Sequence, residues 1–510
     1  LDGATSIAAV GSNRTLASGS GDITLTTDAV TRNNNRIVVD STGHLTVEPK
    51  SGWTSTFMGG NFLDLTGSLT NDNYVGSGES SWFEVQGVSG LTGLTFGKEG
   101  LTAGLNFHTA WNINGPISIY TTNGTELLGG GSLGSSGHPV LVRTDDSGGL
   151  SGSGNIDLGT GGSLSVIQSG GSTFSGVISG TNAEVIKAGS GTLTLSGDST
   201  YTGITRINAG VLKLDGAGSG SNSPVGTVAG GTVVSDGAAL DLAGYTLATA
   251  EPLTINGTGV TSSGAVYNST STDLTYAGPI TLASDSAIDA GDGALTLSGA
   301  INGAFELTIN SNNKEYTQSG VVGGVTVLSG LIVDAGTGVV NFNAAANISG
   351  ALTVTNSGGV TVNDSLTSTA SGADILLKGS GNIVQSNGAS ITTNGGSVLF
   401  WADSDGDGSG YVEILENITT AGGDLYVGGG STSQSISSVT VPTGYATSDN
   451  NAKHGVVISG SNIDTAGGNL RIRGENTSID GTNTGVMVMN SAIDTYAGDL
   501  TIAGKRSGDP

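Results

Sequence analysis

A short pattern, Ile-x-x-x-Gly-Gly-x-(Leu/Val), recurs along this chain of 510 residues, mainly in its last quarter. Three copies keep both glycines, and they begin at Ile391, Ile418 and Ile463. A fourth copy at Ile493 replaces one glycine, and a looser fifth copy begins at Ile288. Repetition at intervals of a few tens of residues is typical of solenoids and other repeat proteins. The repeat therefore constrains the fold more than any single residue does.

The pattern describes a strand, a tight glycine turn and a second strand. Isoleucine and leucine suit the buried face of a strand, and a glycine pair allows the positive φ that a corner needs. Equivalent isoleucines are separated by 27, 45 and 30 residues, and residues 455–474 match residues 485–504. These offsets predict whole coils that differ in loop length. We expect an all-β chain that folds as a rod-shaped, right-handed parallel β-helix, which is a β-solenoid.

Composition agrees with a thin core that runs along a rod. The chain is 35% hydrophobic and 5% aromatic, and it contains 90 glycines. Disorder is one alternative, but only 11% of the residues are charged and apolar residues recur at strand spacing. An array of immunoglobulin-like sandwiches is another, and it predicts a core tryptophan in each module of about 100 residues. Three of the four tryptophans instead fall in the first quarter of the chain, so we favour the solenoid.

Three textures follow one another without a proline-rich linker. Residues 1–150 carry most of the aromatic residues and the longer loops, residues 151–375 are dense in Gly-Thr-Leu strands, and residues 376–510 carry the Gly-Gly repeats. We interpret them as three regions of one continuous stack.

Charge and cysteine content exclude several classes of function. The net charge is −26, so the chain repels nucleic acids and anionic lipid surfaces. The absence of cysteine excludes a disulfide framework and a thiolate metal site. No apolar run reaches the roughly 18 residues of a membrane-spanning helix. The first residues show no signal peptide, and we interpret the chain as a fragment whose export signals lie outside it.

Residues 185–214 read Val-Ile-Lys-Ala-Gly-Ser-Gly-Thr-Leu-Thr-Leu-Ser-Gly-Asp-Ser-Thr-Tyr-Thr-Gly-Ile-Thr-Arg-Ile-Asn-Ala-Gly-Val-Leu-Lys-Leu. This segment closely resembles the passenger-associated repeat of autotransporter proteins. Residues 21–97 and the 455–504 repeat are similar, more loosely, to filamentous-haemagglutinin-type exoproteins. The resemblance implies a right-handed β-helix that is exported through an outer-membrane pore. It also implies an extracellular or outer-surface location and a role in adhesion or surface display.

The best local motif for ligand chemistry is an acidic loop. Asp403, Asp405 and Asp407 alternate with small residues, and Gly408 follows Asp407 at the sixth position, where a calcium loop turns sharply. Carboxylates with this spacing can converge on one hard cation, as in the opening of a calcium loop. The twelfth position, where such loops carry a bidentate glutamate, is Ile414. The motif predicts a Ca²⁺ site, and a solvated acidic loop is the alternative.

Aromatic residues of the first region suggest a second kind of site. Trp82, Trp111 and Tyr120 lie close in sequence and would suit the C–H faces of sugars if they lined a groove. The alternative is that they fill a thicker local core. Catalytic chemistry has less support, because the acidic residues are scattered and the four histidines are far apart. We identify no catalytic residue and no required cofactor.

The sequence therefore favours a non-enzymatic adhesin stalk or filament that mediates attachment or surface display, including biofilm formation. Its expected partners are a host or neighbouring cell surface, glycans among them, and further copies of itself. A self-assembling surface-layer or sheath subunit is the first alternative. A polysaccharide lyase or hydrolase on a β-helix is the second.

Overall fold

The computed structural model describes most of the chain, which forms two compact units, Leu1–Leu253 and Thr254–Pro510. The described residues are 7–9, 14–26, 30–32, 37–48, 62–66, 83–86, 90–100, 104–107, 110–127, 131–146, 148–436, 438–449, 453–478 and 483–506.

The first unit consists of short strands that pair in parallel with the strand one coil later. Pro139–Thr144 pairs with Ser163–Gln168, and Ser163–Gln168 pairs in turn with Glu184–Ala188. A small antiparallel pair joins Asn222–Ser223 to Gly226–Thr227. The strands of this unit are Ile7–Ala9, Arg14–Gly19, Ile23–Thr26, Val30–Arg32, Ile37–Ser41, His44–Glu48, Phe62–Thr66, Phe83–Gln86, Gly93–Phe96, Gly104–Phe107, Ala110–Asn112, Ile117–Thr121, Thr125–Leu127, Ser132–Gly134, Pro139–Thr144, Leu150–Gly152, Asn155–Asp157, Ser163–Gln168, Ser172–Phe174, Ile178–Ser179, Glu184–Ala188, Thr192–Leu195, Thr205–Ile207, Gly210–Leu214, Asn222–Ser223, Gly226–Thr227, Thr232–Val234 and Ala238–Asp241.

The second unit repeats this arrangement with three parallel sheets per coil over much of its length. Its strands are Leu253–Gly257 (the first residue belongs to the first unit), Val266–Tyr267, Leu274–Tyr276, Ile280–Asp289, Leu295–Leu297, Ile301–Asn302, Glu306–Asn310, Tyr316–Gln318, Gly330–Asp334, Val339–Phe342, Ala346–Ile348, Leu352–Asn356, Gly359–Val362, Leu366–Ser371, Ile375–Lys378, Ile383–Gln385, Ile391–Asn394, Val398–Ala402, Val412–Ile414, Ile418–Thr419, Leu425–Ile436, Val439–Gly444, Ala446–Ser448, Val456–Ser459, Asn462–Asp464, Leu470–Asn476, Val486–Met489, Ala492–Asp494 and Leu500–Arg506. A 3₁₀ turn covers Val260–Ser262, and no α-helix occurs among the residues that the structure describes.

The Gly-Gly repeat is in register with itself. Ile391 pairs with Ile418, Ile418 with Ile463, and Ile463 with Ile493. Each offset that the sequence shows is therefore one coil, which confirms the interpretation of the repeat. The looser copy at Ile288 is different. Ile288 pairs with Ile309, and their strands belong to a different sheet from the strands of the other four copies. Its glycine turn therefore lies at another corner of the coil.

The core is a stack of inward-facing side chains. Along Leu470–Asn476 every second residue is buried, as expected for a strand with one face on the core. Leu352 and Leu377 are fully buried on successive coils, in strands that pair in parallel. Each such side chain contributes about 1.5–3 kcal/mol by leaving water. Many coils with a few such residues each can therefore replace one thick core.

Parallel pairing excludes the sandwich alternative, whose sheets are antiparallel. In both units the strands stack as a β-solenoid, and the all-β fold class predicted from the sequence is confirmed.

The main interruption of the second unit is an antiparallel hairpin between Leu425–Ile436 and Val439–Gly444. It lies inside the coil with the 45-residue offset, so it accounts for the extra length of that coil. The hairpin folds back on the outer face of the solenoid, where Val441 packs on Leu399 and Tyr426.

Candidate functional site

The acidic loop begins where a buried strand ends. Val398–Ala402 is buried along its whole length, and Asp403 follows with φ of +48°. The Asp403 carbonyl accepts hydrogen bonds from the N–H groups of Gly406 (3.0 Å) and Gly430 (2.9 Å). These bonds bend the chain away from the strand and hold the loop against the base of the hairpin.

The three aspartates of the loop converge. One carboxylate oxygen from each of Asp403, Asp405 and Asp407 lies within 4.8 Å of the other two. Asp403 is buried, whereas the other two aspartates are exposed. Burial raises the pKa of Asp403, although the N–H of Gly408 donates to its Oδ1 (3.0 Å) and opposes the shift. Two neighbouring carboxylates raise this pKa further, so a cation between the three groups would relieve their repulsion.

The geometry suits a hard cation in part. Ca²⁺ takes oxygen ligands at about 2.3–2.6 Å, so oxygens up to about 5 Å apart can share one ion. Ile414 at the twelfth position is fully buried in the core and offers no ligand. Glu413 instead binds Lys453 (3.1 Å), and Glu416 accepts from the N–H of Gly388 (2.9 Å). Backbone carbonyls and water would have to complete the coordination.

Other aspartates accept hydrogen bonds from backbone N–H groups or form an ion pair. Asp289 accepts from the N–H of Gly291 (2.8 Å), and Asp285 accepts from the N–H of Glu306 (2.9 Å). Asp145 forms an ion pair with Arg143 (2.9 Å). The bond of Asp289 to the N–H two residues on is the turn chemistry expected of aspartate, whereas the bond of Asp285 joins two successive coils.

The aromatic residues of the first region do not form an exposed groove in the described structure. Trp111 is fully buried, and its ring packs edge-to-face on Phe96 (5.6 Å between centroids) and Phe107 (6.1 Å). A ring in this position has no free face for a sugar, so the thicker-core alternative describes Trp111. Tyr120 is half-buried, and Trp82 lies outside the described residues.

The first unit contains a buried polar network that none of the sequence motifs predicts. The hydroxyl groups of Tyr201 and Thr205 are 2.5 Å apart, and Thr205 pairs with Thr232 on the next coil. The Thr232 hydroxyl donates to Oε1 of Glu251 (2.9 Å). Burial raises the pKa of Glu251 to about 7. Because Glu251 and its partners are far apart in the sequence, no local motif predicts this network.

Lys187 is a cation at a core position of the same unit. It lies in register with Val166 and Ile207 and is fully buried. Its ammonium group donates to three backbone carbonyls, those of Ala188 (3.0 Å), Gly189 (2.8 Å) and Ala209 (3.1 Å). Burial lowers its pKa to about 8. The three donors of the ammonium group therefore satisfy carbonyls at the corner of the coil.

Parallel coils, glycine corners and inward-facing aliphatic ladders define the chain as a β-solenoid repeat protein. A family model, the passenger-associated-transport-repeat, matches residues 185–214. These residues form one coil stacked on the next, in which Val185 pairs with Thr205 and Leu193 with Leu212. The repeat and the solenoid together fit an autotransporter passenger-like protein. No curated protein and no solved structure matches the chain.

Within the described residues, no helix is both long and apolar enough to cross a membrane.

Proposed function

We propose that this chain is the stalk of a secreted, surface-displayed adhesin, and that it acts by binding rather than by catalysis. The observation that carries the proposal is the passenger-associated repeat, which forms in-register coils of the solenoid. The repeat family implies secretion to the outer surface. A solenoid suits display because each coil is stabilised by its neighbours and coils can extend a structure without a larger core.

The experiment is display on a non-adherent Gram-negative bacterium. Residues 1–510 are fused between an export signal and an outer-membrane translocator, and a passenger of unrelated globular fold serves as control. We expect protease-accessible chain on the cell surface and attachment to epithelial cells or to abiotic surfaces above the control. Efficient display without any gain in attachment would reject the adhesin role.

We also propose that the acidic loop binds Ca²⁺. The support is the convergence of Asp403, Asp405 and Asp407 at the end of a buried strand. A bound cation would tie this loop to the solenoid and stiffen the base of the neighbouring hairpin.

A further inference from the structure

A groove runs along the corner formed by the Gly-Gly repeats. It has a volume of about 550 Å³ and lies between the glycine turns and the end of the hairpin, where Ser438 and Val439 line it. The hairpin is held in place by apolar packing, because Val439 and Ile436 lie against the cluster of Leu399, Tyr426 and Val441. Apolar packing therefore fixes the end of the hairpin beside the groove.

The floor of the groove is bare backbone. The first glycine of each pair lies here, at Gly395, Gly422 and Gly467, and all three have positive φ. A Cβ added at Gly422 or Gly467 would meet nothing within 4 Å. Gly422 and Gly467 therefore leave open space on two successive coils, and the glycines of the floor carry no side chain that would obstruct a flat ligand.

One wall of the groove is a column of polar side chains, one from each coil. Asp374 Oδ1 accepts from the N–H of Ser397 (2.6 Å), and Asp424 Oδ1 accepts from the N–H of Asn469 (2.7 Å). The second oxygen of Asp424 accepts from the Tyr426 hydroxyl (2.6 Å). Both oxygens of Asp424 are thus engaged, whereas no described residue donates to Oδ2 of Asp374.

Ser397 lies between these two aspartates and differs from the rest of the column. It lines the groove, although the residue as a whole is only 7% exposed. No described residue hydrogen-bonds to its Oγ. A hydroxyl with no protein partner at the wall of a groove is available to donate to and accept from a ligand there.

We infer that this groove binds a neutral glycan, with Ser397 Oγ and Asp374 Oδ2 as its principal polar contacts. Sugar hydroxyls donate to a carboxylate and exchange hydrogen bonds with serine, while the glycine floor and Val439 accommodate the C–H face of the ring. The net charge of −26 disfavours a sulfated or uronic-acid polymer. This inference rests on the adhesin proposal and gives it a ligand class.

Asp273 provides a matched control. It precedes the strand Leu274–Tyr276 and accepts from the N–H of Ala294 (2.9 Å), one coil later. Asp374 has the same relation to the strand Ile375–Lys378 and to the N–H of Ser397. Asp273 does not line the groove. Replacing either aspartate by asparagine therefore perturbs the same backbone contact, and only one replacement alters the groove.

The test is calorimetric titration of the purified 510-residue chain with neutral hexasaccharides of glucose, galactose, mannose and N-acetylglucosamine. We expect at least one to bind. Ser397→Ala and Asp374→Asn should each weaken binding by roughly five- to tenfold, which corresponds to one lost hydrogen bond. Asp273→Asn should leave the affinity unchanged, and thermal unfolding should confirm that all three variants fold.

Three results would overturn the inference. One is the absence of binding to all four hexasaccharides. Another is sugar binding that neither Ser397→Ala nor Asp374→Asn weakens. The third is binding of hexalysine in place of the sugars, which would make the groove a site for cationic peptides. Attachment by displayed cells whose purified chain binds no sugar would reject this groove and leave the adhesin role intact. Sugar binding by a chain whose displayed cells do not attach would reject the adhesin role and leave the glycan-binding groove intact.

Discussion

Single residues stabilise the corners of this solenoid by hydrogen bonds across the turn, and threonine has this role in the Gly-Gly repeat. Thr420, Thr465 and Thr495 each occupy the third position of a copy, and each hydroxyl donates to the carbonyl of the second glycine position. The bond is 2.6 Å at Thr465 and 2.9 Å at Thr495. Each threonine hydroxyl thus donates a hydrogen bond to a carbonyl at a turn, where the hydrogen bonds between strands do not reach. The sequence pattern left this position undefined, although threonine is present there in all four aligned copies.

The two glycines of one pair should respond differently to alanine. Gly467 has φ of +106° but open space around its Cβ position, so Gly467→Ala should cost about 1–2 kcal/mol of left-handed strain. At Gly468 a Cβ would lie 1.9 Å from the carbonyl oxygen of Gly423 on the preceding coil. Gly468→Ala should destabilise the second unit by at least roughly 2 kcal/mol more, because backbone has to move. Thermal and urea unfolding followed by circular dichroism would measure both, and equal effects would contradict the stacking argument.

Glu251 should make the first unit less stable as the pH rises. Its pKa is raised by burial to about 7 from an ordinary value of 4.5, so the folded state holds this proton more tightly than the unfolded state. The stabilisation is complete below pH 4.5 and is lost as the pH rises towards about 7. Glu251→Gln should therefore raise the unfolding temperature at pH 8, by the equivalent of about 2 kcal/mol, and change it little at about pH 4.5. Glu126→Gln, in a half-buried strand position, serves as control, and equal shifts for both variants would contradict the prediction.

Calcium should stabilise the chain through the acidic loop. At a free concentration of about one hundred times its dissociation constant, Ca²⁺ adds about 2.7 kcal/mol to a state that alone binds it. We expect a higher unfolding temperature in Ca²⁺ than in a chelator, and we expect Asp405→Asn with Asp407→Asn to abolish the difference. Asp292→Asn removes a charge from another exposed aspartate and should preserve it. A calcium effect that survives the double substitution would place the ion elsewhere.

At the scale of elements, the hairpin shows how a loop becomes a functional surface. Its strands pair from Gly429 with Gly444 to Ile436 with Val439, and its apolar residues cover Leu376 and Leu399 on the outer face. Trp401 adds a hydrogen bond from its Nε1 to the carbonyl of Gly430 (2.9 Å). The rest of the second unit has its own core, so the hairpin is an addition to the solenoid rather than a part of its stacking.

The hairpin should detach before the solenoid unfolds. Val441 is fully buried on the outer face, and Val441→Ala removes packing worth about 1–2 kcal/mol without touching the inner ladders. We expect faster proteolytic cleavage between residues 430 and 444 with little change in the main unfolding temperature. Thr440→Ala, at the exposed neighbouring residue, should leave the cleavage rate unchanged. A fall in the main unfolding temperature without faster cleavage would show that the hairpin belongs to the cooperative core.

At the scale of the whole molecule, the net charge of −26 matters for a surface protein. The large negative charge opposes unspecific association with anionic surfaces, and specific attachment then depends on local sites such as grooves.

The sequence by itself determined the elements, the coil offsets and the family of repeat, because alternating apolar residues and glycine pairs act locally on the backbone. The spacing of the glycine pairs alone aligns Ile391, Ile418 and Ile463, and these residues pair as that alignment requires. The tertiary structure alone decided what each side chain faces. Trp111 packs inside, Ser397 lines a groove and Glu251 is buried beside Thr232. These outcomes depend on partners on other coils or on a hairpin that folds back, and spacing along the chain does not encode such contacts.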